Sequence, residues 1–220
     1  MFSVAIDGPS GAGKSSVCKC AADKLGFIHV DTGALYRALA YNALKNGINT
    51  NDEILLEKLL KTTKIEIQYI NGLQAVLVNG ENVTDKIRSE EVSMGASNIS
   101  KIGIIRDFLL DLQRELAEKN NVIMDGRDIG TVVLPNADLK IFLTASPEKR
   151  AERRFKQLLE KGEKKEYNVI LEDIIKRDYQ DSHREIAPLK PAGDSVIVDT
   201  SEISFEDSVL KITEMIEAKL

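Results

Sequence analysis

The sequence predicts an α/β fold, a doubly wound parallel sheet of five strands covered by helices on both faces. Five short apolar runs alternate with longer segments of helical periodicity, which is the rhythm of parallel strands joined by helical crossovers. One stretch departs from this rhythm, because residues 64–84 alternate polar and apolar side chains and contain two Asn-Gly pairs. Asn-Gly is the strongest short signal of a β-hairpin, so this stretch is predicted to be a small antiparallel β-meander inserted into the parallel fold.

Each element has a local signal. The strands of the parallel sheet are predicted at residues 2–7, 27–31, 122–125, 140–144 and 195–199. Helices are predicted at residues 13–25, 34–45, 54–60, 90–100 and 104–118. Three more are predicted: one that begins at Ser146-Pro147, one that begins at about Val169, and an amphipathic helix at the C-terminus. Gly26 is expected to close the first helix, Asn51 or Asp52 to cap the third, and Ser204 to cap the last.

Composition and charge narrow the class of protein. The chain has 220 residues, 43% hydrophobic and 30% charged, as in ordinary globular proteins, and its length favours a single domain. The net charge of −5 argues against a general nucleic-acid or anionic-membrane surface, and no apolar run approaches the roughly 18 to 20 residues of a membrane span. We therefore expect a cytoplasmic monomer with no nucleic-acid or membrane partner.

The cysteines and histidines suggest no chemistry of their own. Cys18 and Cys20 lie two residues apart and would point to different faces of a helix. This argues against a disulfide framework or a zinc site, and for small buried residues in a reducing compartment. His29 and His183 are isolated in the sequence and are predicted to be structural.

A phosphate-binding loop follows the first strand. Residues 8–15 fit G-x-x-x-x-G-K-[ST] and stand between a predicted strand and a predicted helix, which is the context that the motif requires. Glycines let backbone N–H groups turn toward an anion, and the helix N-terminus adds partial positive charge. Lys14 is predicted to reach the β- and γ-phosphates of a nucleoside triphosphate, and Ser15 to offer its hydroxyl to Mg²⁺. The predicted donor site is Gly8, Pro9, Ser10, Gly11, Ala12, Gly13, Lys14, Ser15 and Ser16.

The remaining motifs point to a small phosphotransferase. The guanine-reading Asn-Lys-x-Asp of regulatory GTPases is absent, and the chain is short for a mechanical ATPase. A phosphotransferase needs a second anion site, for which arginine is suited because its planar fork binds phosphate bidentately. Asp31, Thr32 and Arg37 follow the second strand, at the sheet edge where ligands of open α/β sheets bind. Thr32 is expected to cap the next helix and, with Arg37 about one turn inside it, to form a phosphate-binding site at the helix N-terminus. The alternative is a plain cap beside a surface arginine.

A second acidic and basic cluster follows the strand at residues 122–125. Asp125, Arg127 and Asp128 stand just past this buried run. Asp125 is expected to hold Mg²⁺ through water or to orient substrate. A tight structural turn around Gly126 is the alternative.

Two arginine clusters stand on predicted helices. Arg150, Arg153 and Arg154 share one face, and no carboxylate lies three or four residues from any of them, so this face is predicted to meet an external anion. With the polar linker at residues 160–166, it would form a lid over the triphosphate, unless it is only a solvated basic helix. A helical stripe of Arg177, Asp181 and Arg184 follows, which a salt-bridged surface would explain equally well.

Four segments together give the chain a family resemblance. IDGPSGAGKSS, DTGALYR, DGRDIGTVV and RDYQDSHREIAPLKPA, in this order and at these spacings, resemble those of bacterial cytidylate kinases, a family of P-loop nucleoside monophosphate kinases. The similarity runs essentially end to end and includes the β-meander insert. The P-loop is widely shared, whereas the combination with the other three motifs is much more specific.

The resemblance implies transfer of the γ-phosphoryl group of ATP, with Mg²⁺, to CMP or dCMP, a step of pyrimidine nucleotide metabolism. The acceptor phosphate would be held by Thr32, Arg37 and Arg127, and the sugar by Arg177 and Asp181. The implied cytosine contacts are Ser97, Arg106, Asp128 and Arg184, and the implied catalytic groups are Lys14, Arg127, Arg150 and Arg154. Thr32 replaces a serine that is common in the family but keeps the hydroxyl.

The resemblance also implies how the kinase domain is divided. Residues 1–60, 91–145 and 185–220 would form the core, residues 61–90 an insert that binds the nucleoside monophosphate, and residues 146–184 a helical lid. Other acceptors remain open: UMP, AMP, or a small metabolite alcohol that would need a base such as Asp31 or Asp125. A P-loop regulatory or binding protein without phosphotransfer is the alternative from another class.

Overall fold

The computed structural model describes residues 1–70, 72–160 and 162–220. Asn71, in the first predicted Asn-Gly turn, and Lys161, in the predicted lid, lie outside the described residues. The strands are β1 (Ser3–Asp7), β2 (Ile28–Asp31), β3 (Ile65–Ile70), β4 (Leu73–Val78), β5 (Glu81–Asn82), β6 (Val122–Gly126), β7 (Leu139–Thr144) and β8 (Val196–Asp199). The helices are α1 (Lys14–Leu25), α2 (Thr32–Lys45), α3 (Glu53–Leu60), α4 (Glu90–Ile99), α5 (Gly103–Lys119), α6 (Pro147–Glu160), α7 (Tyr167–His183) and α8 (Phe205–Glu217).

The predicted five-stranded parallel sheet is confirmed, with the strand order β2-β6-β1-β7-β8. The central strands β1 and β6 are apolar and buried almost throughout, as expected for strands covered on both faces. The register sets Asp31 of β2 beside Asp125 of β6, and Asp7 of β1 beside Gly126. The carboxyl ends of these three strands therefore meet at one edge of the sheet.

Helices cover both faces of the sheet. On one face, α1 and α8 pack Val17, Ala21, Ile212 and Ile216 against the sheet in a single apolar cluster. On the other face, Ala117 of α5 packs against Ala5, Val122 and Met124 of the sheet. Helices α2 to α5 and the strands β3 and β4 form a further apolar cluster of their own. Helices α6 and α7 pack on each other around a small cluster of their own, which holds them together beside the main core. Among the described residues, no helix combines the length and the apolarity that a membrane span requires.

The helix caps follow the prediction except at α2. Asp52 and Ser204 cap α3 and α8, and Gly26 closes α1 in a left-handed conformation. The prediction that Thr32 caps α2 was wrong. Asp31 is the cap, with extended backbone and a carboxylate that accepts the Ala34 N–H at 3.0 Å, so Thr32 is the first helical residue.

The predicted β-meander is present as a separate antiparallel sheet of β3, β4 and β5. Its second turn has positive φ at both Asn79 (50°) and Gly80 (81°), the combination that a type I′ hairpin turn requires. The meander is joined to the edge of the parallel sheet through polar side chains of β3 and β4, described below with the site they support.

Candidate active site

The loop between β1 and α1 is shaped by glycines with positive φ. Gly8 has φ 150°, and a Cβ there would lie 1.9 Å from the carbonyl oxygen of Leu143, so only glycine fits beside β7. Gly11 (φ 76°) and Gly13 (φ 90°) take left-handed conformations that other residues rarely adopt. Helix α1 then starts without a side-chain cap, which leaves its first backbone N–H groups to an anion.

Lys14 is the charged group of this loop, yet it is buried. Its Nζ donates a hydrogen bond to the Pro9 carbonyl at 2.8 Å, and the residue is only 5% exposed. Burial, and next the charge of Arg127, lowers the pKa of Lys14 to about 7, against the opposing effect of Asp125. The lysine is therefore ready to gain a proton when an anion enters the loop.

Asp125 uses both oxygens of its carboxylate. Oδ2 accepts a hydrogen bond from Ser15 Oγ at 2.8 Å, and Oδ1 lies 2.7 Å from His29 Nε2. Burial alone would raise the pKa of Asp125, but His29, Lys14 and Ser15 together hold it below its usual value. An ionised carboxylate beside a hydroxyl is a pair of hard oxygen donors, the type that Mg²⁺ prefers.

The predicted acceptor-phosphate residues lie at the start of α2. Thr32 is buried, and its hydroxyl donates to the Asp125 backbone carbonyl at 2.8 Å. Arg37 Nη2 donates to Asp31 Oδ2 at 2.8 Å. Gly33 lies close to this Arg37–Asp31 pair. A Cβ at Gly33 would be 3.0 Å from Arg37 Nη1 and 3.1 Å from Asp31 Oδ1. The structure thus brings a hydroxyl and a guanidinium to the edge of the sheet beside the loop.

The meander braces this edge of the sheet. β2 is an outer strand, and Gln74 of β4 supplies the bonds that a neighbouring strand would give: its Oε1 accepts the Asp31 N–H at 2.8 Å and its Nε2 donates to the Asp31 carbonyl at 3.1 Å. The Tyr69 hydroxyl donates to the His29 carbonyl at 3.1 Å. The insert therefore fixes the backbone that carries the Asp31 and Arg37 pair.

Arg127 and Arg177 gather around one carboxylate. Arg127 Nε donates to Asp181 Oδ2 at 2.8 Å, while Arg177 Nε is a buried donor with no hydrogen-bond partner in the described part of the chain. Burial, and next the charge of Arg127, lowers the pKa of Arg177, and Arg37 acts in the same direction. The charges of Arg127 and Arg37 both act on Arg177, and Asp181 and Asp31 pair with Arg127 and Arg37, which leaves the Arg177 charge without a paired carboxylate in the described part of the chain.

A second buried network surrounds Asp128. Its carboxylate accepts from Arg106 Nη2 and, at 3.3 Å, from Arg184 Nη2. Ser100 joins both arginines, because its carbonyl accepts from Arg106 Nη1 at 3.3 Å and its hydroxyl lies 3.5 Å from Arg184 Nη1. Ser97 lies next to this network, and its carbonyl accepts a hydrogen bond from the Ser100 hydroxyl. The four residues predicted to contact a base thus lie together.

The helical stripe predicted for Arg177, Asp181 and Arg184 was wrong in its last member. Helix α7 ends at His183, and Arg184 has extended backbone with ψ 143°. The chain turns there, so Arg184 reaches Asp128 rather than continuing the helix face, and its Nε donates to the Ala187 carbonyl at 2.6 Å.

The arginines of α6 are not all without a carboxylate partner, which corrects the premise of that prediction. Arg150 is 2% exposed and pairs bidentately with Asp178 of α7, while its Nη1 and Nε donate to the carbonyls of Ser10 and Ala145. The helix-neighbour argument missed this carboxylate because it comes from another helix. Arg153 donates to the Thr200 carbonyl at 2.6 Å, and only Arg154 lies exposed to solvent.

Two carboxylates that support the site, Asp178 and Asp7, were not found from the sequence. Asp178 lies within the RDYQDSH segment, but the i, i+4, i+7 stripe argument passed over it. Asp7 ends β1, and its carboxylate accepts the N–H groups of Ile129 and Gly130 at 2.7 and 2.8 Å, which fixes the turn after β6. Burial raises the pKa of Asp7 to about 6 despite these bonds. The position of Asp7, at a strand end just before the loop, was its available signal.

The arrangement can bring two anions together. One is suited to the backbone of the glycine loop and Lys14, and the other to Thr32, Arg37 and Arg127. The Lys14 and Arg127 charges already interact, since Arg127 lowers the pKa of Lys14. Two anion sites in electrostatic contact at one sheet edge provide the geometry for group transfer between bound phosphates.

Comparisons with known proteins identify relatives over the whole chain. The family model for cytidylate kinase matches residues 4–218. A cytidylate kinase of Caldicellulosiruptor bescii is 50% identical over 214 residues, covering 97% of this chain and 95% of the relative. One of Bacillus subtilis is 46% identical over 218 residues, covering 99% and 97%.

Solved structures show the same fold at low identity. A shikimate kinase of Bacteroides thetaiotaomicron is 14% identical with a TM-score of 0.51, covering 98% of each chain. A protein of Eubacterium ventriosum, described as uncharacterized, is 12% identical with a TM-score of 0.55, covering 99% of each chain. These two likenesses concern the fold alone.

Proposed function

The chain belongs to the cytidylate kinase family, and we propose that it transfers the γ-phosphoryl group of ATP to CMP and dCMP, giving ADP and CDP or dCDP. The observation that supports the proposal is the pair of neighbouring cationic sites, the glycine loop with Lys14 and the arginines Arg37 and Arg127, which pair with Asp31 and Asp181. As part of the proposal, the enzyme is a monomer acting in cytoplasmic pyrimidine nucleotide metabolism.

The proposed mechanism requires no catalytic base. A phosphate monoester has a second pKa of about 6, so the attacking oxygen of CMP is already anionic near neutral pH. What opposes reaction is repulsion between two polyanions. In the proposed mechanism Lys14 and Arg127 neutralise this repulsion and stabilise charge on the transferring group, while Thr32 and Arg37 orient the acceptor phosphate; their contacts at the sheet edge support this assignment.

Mg²⁺ belongs to this proposal. The Ser15 hydroxyl and the Asp125 carboxylate, 2.8 Å apart at the loop, fit the oxygen-donor chemistry of the ion. When bound with the nucleotide, Mg²⁺ would be held by Ser15 and Asp125 and would neutralise part of the phosphate charge.

The proposed base recognition uses the Asp128 network. Arg106, Arg184, Asp128 and the nearby Ser97 offer fixed donors and one carboxylate in a buried setting. A cytosine ring presents an amino donor together with ring and carbonyl acceptors, which such a set can match, whereas uracil has an acceptor oxygen in place of the amino donor.

Asp181 and Arg177 are proposed to contact the sugar of the acceptor. Helix α6, with Arg150, Arg153 and Arg154, is proposed to form the lid over the phosphates of the donor nucleotide.

A coupled ADP-release assay tests this function. With Mg²⁺ and ATP, we expect turnover with CMP and dCMP far above that with UMP, AMP or shikimate. Lys14→Ala should reduce turnover by at least about 10³-fold, and Arg127→Ala by a similar factor, as when a transition-state cation is removed. Lys24→Ala, an exposed change on the same helix, is the control and should be neutral. Equal rates with every monophosphate, or ADP release that needs no acceptor, would refute the proposal.

A further inference from the structure

Three metal-ligating side chains of different elements converge beneath the glycine loop. Cys18 on α1, His29 on β2 and Asp125 on β6 place a thiol sulfur, an imidazole nitrogen and a carboxylate oxygen within 4.8 Å of one another. Cys18 is fully buried, and His29 and Asp125 have side chains only 14% and 5% exposed. The exclusion of a zinc site from the sequence considered Cys18 and Cys20 as a pair, and so missed the partners that the fold supplies.

We propose that Cys18, His29 and Asp125 form a binding site for a thiophilic divalent cation, with Zn²⁺ as the best match. Sulfur, imidazole and carboxylate are the ligand types of protein zinc sites, and three protein ligands leave a fourth position for water or a substrate oxygen. We expect the fourth coordination position to face the glycine loop, because the Ser15 hydroxyl of that loop lies 2.8 Å from Asp125 Oδ2. Mg²⁺, which prefers oxygen ligands, does not suit the sulfur and nitrogen of this set.

The geometry needs only a small adjustment. Zinc bonds of about 2.3 Å to sulfur and about 2.0 Å to nitrogen, at a tetrahedral angle, require donor atoms roughly 3.5 Å apart. The donor atoms already lie within 4.8 Å, so side-chain rotations that shorten the longest separation by about 1 Å suffice. The present contact of 2.7 Å between His29 Nε2 and Asp125 Oδ1 would open as both atoms turn to the cation.

Binding changes protonation in a defined way. Cys18 must lose its thiol proton to solvent, because the thiolate is the ligand. His29 must present Nε2 as a neutral imidazole, with its proton on Nδ1. Thiolate and carboxylate together balance the charge of a divalent cation, so neighbouring Lys14 faces a site without net charge.

The cation would compete with nucleotide binding, a consequence that rests on the proposed function. Zn²⁺ on Asp125 would repel and compete with the Mg²⁺ for which the Ser15 hydroxyl and the same carboxylate are the proposed oxygen donors. Micromolar Zn²⁺ is therefore expected to inhibit phosphotransfer, with the inhibition relieved as the concentration of Mg²⁺ and ATP rises.

Cobalt spectroscopy of the metal-free, nucleotide-free full chain tests the site without using activity. Co²⁺ should bind with a stoichiometry of one, giving a thiolate-to-cobalt charge-transfer band in the near ultraviolet and tetrahedral visible bands that Zn²⁺ abolishes. Cys18→Ala should remove the charge-transfer band, and His29→Gln should weaken cobalt affinity at least 10-fold. Cys20→Ala, on the same helix, is the matched control and should retain the full spectrum.

The outcomes separate this proposal from its alternatives. Lack of a charge-transfer band in the unmodified chain, its survival in Cys18→Ala, or its loss in Cys20→Ala would overturn the site. Should Cys18→Ala fail to fold by circular dichroism, His29→Gln and the proton released on adding Zn²⁺ in weak buffer decide the matter: unchanged affinity and no proton release would refute it. Because none of these readouts uses phosphotransfer, failure of the proposed kinase activity would leave them intact.

Discussion

Replacing Lys14 by methionine tests how the buried loop lysine and the nucleotide depend on each other. The ordinary lysine pKa of 10.5 falls to about 7 in the folded chain, chiefly through burial and next through Arg127. At pH 8 about nine in ten Lys14 side chains are then neutral, and phosphates that contact Nζ should return the pKa to its ordinary range. Nucleotide binding at pH 8 is therefore expected to take up about 0.9 proton, and at pH 7 about half a proton.

The assay is isothermal titration of ADP at pH 8 in two buffers of different ionisation enthalpy, since proton uptake makes the observed enthalpy depend on the buffer. At this pH the nucleotide phosphates are already ionised and contribute little. Lys14→Met should show no buffer dependence, and Lys24→Met, exposed on the same helix, should behave as the unmodified chain. Identical buffer dependence in the unmodified chain and Lys14→Met would refute the reasoning.

The lowered pKa of Lys14 also makes the free energy of unfolding depend on pH. The unfolded lysine keeps the pKa of 10.5, so between about pH 7 and pH 10.5 the unfolded chain binds more protons and stability rises with pH. Below about pH 7 the burial penalty is present in full, on the order of 5 kcal/mol. Lys14→Met is thus expected to raise the free energy of unfolding of the nucleotide-free chain at pH 7, and the gain should shrink toward pH 10. A gain that does not change with pH would contradict this cause.

Three further predictions follow from the contacts. Asp178→Asn should lower the free energy of unfolding in urea by about 3 kcal/mol because its arginine partner in α6 is fully buried, whereas Asp173→Asn, which breaks an exposed pair, should cost less than about 1 kcal/mol; equal losses would contradict the argument. Gln74→Leu should raise KM for CMP by about 3- to 30-fold with a smaller effect on kcat, since two hydrogen bonds of roughly 1 kcal/mol each brace the end of β2. Gln68→Leu on β3 is its control, and an equal rise there would count against bracing. ATP with CMP should slow amide hydrogen exchange in residues 150–160, and unchanged exchange would contradict the lid.

The sheet and the loop were predictable because their signals are local. A strand buried on both faces is a short apolar run, Asn79-Gly80 fits a type I′ turn, and the Asp52 and Ser204 caps act within three residues. The glycine loop is likewise read from consecutive residues. Asp31, and not Thr32, caps α2. The sequence offers two adjacent polar residues for this role, and only the backbone conformation decides which of them is the cap, so the sequence alone could not predict it.

The pairings within the site were not predictable, because each joins residues far apart in the chain. Arg150 meets Asp178 across 28 residues, and Arg127 meets Asp181 across 54. An argument from helix spacing sees only neighbours on one helix, so it found no partner for Arg150. The convergence of Cys18 and His29 on Asp125 has the same origin, since the strand order that sets β2 beside β6 is a property of the whole fold.

The pairings explain how a chain of net charge −5 can present a cationic site to polyanions. Unpaired guanidinium groups at such close range would repel one another and destabilise the fold. Asp31, Asp178 and Asp181 each hold one arginine, and Asp128 holds two. A substrate phosphate must therefore displace or outweigh a carboxylate, and a dianion does so better than a monoanion at the same distance. Selection for a fully ionised phosphate thus follows from the internal carboxylates as much as from the arginines.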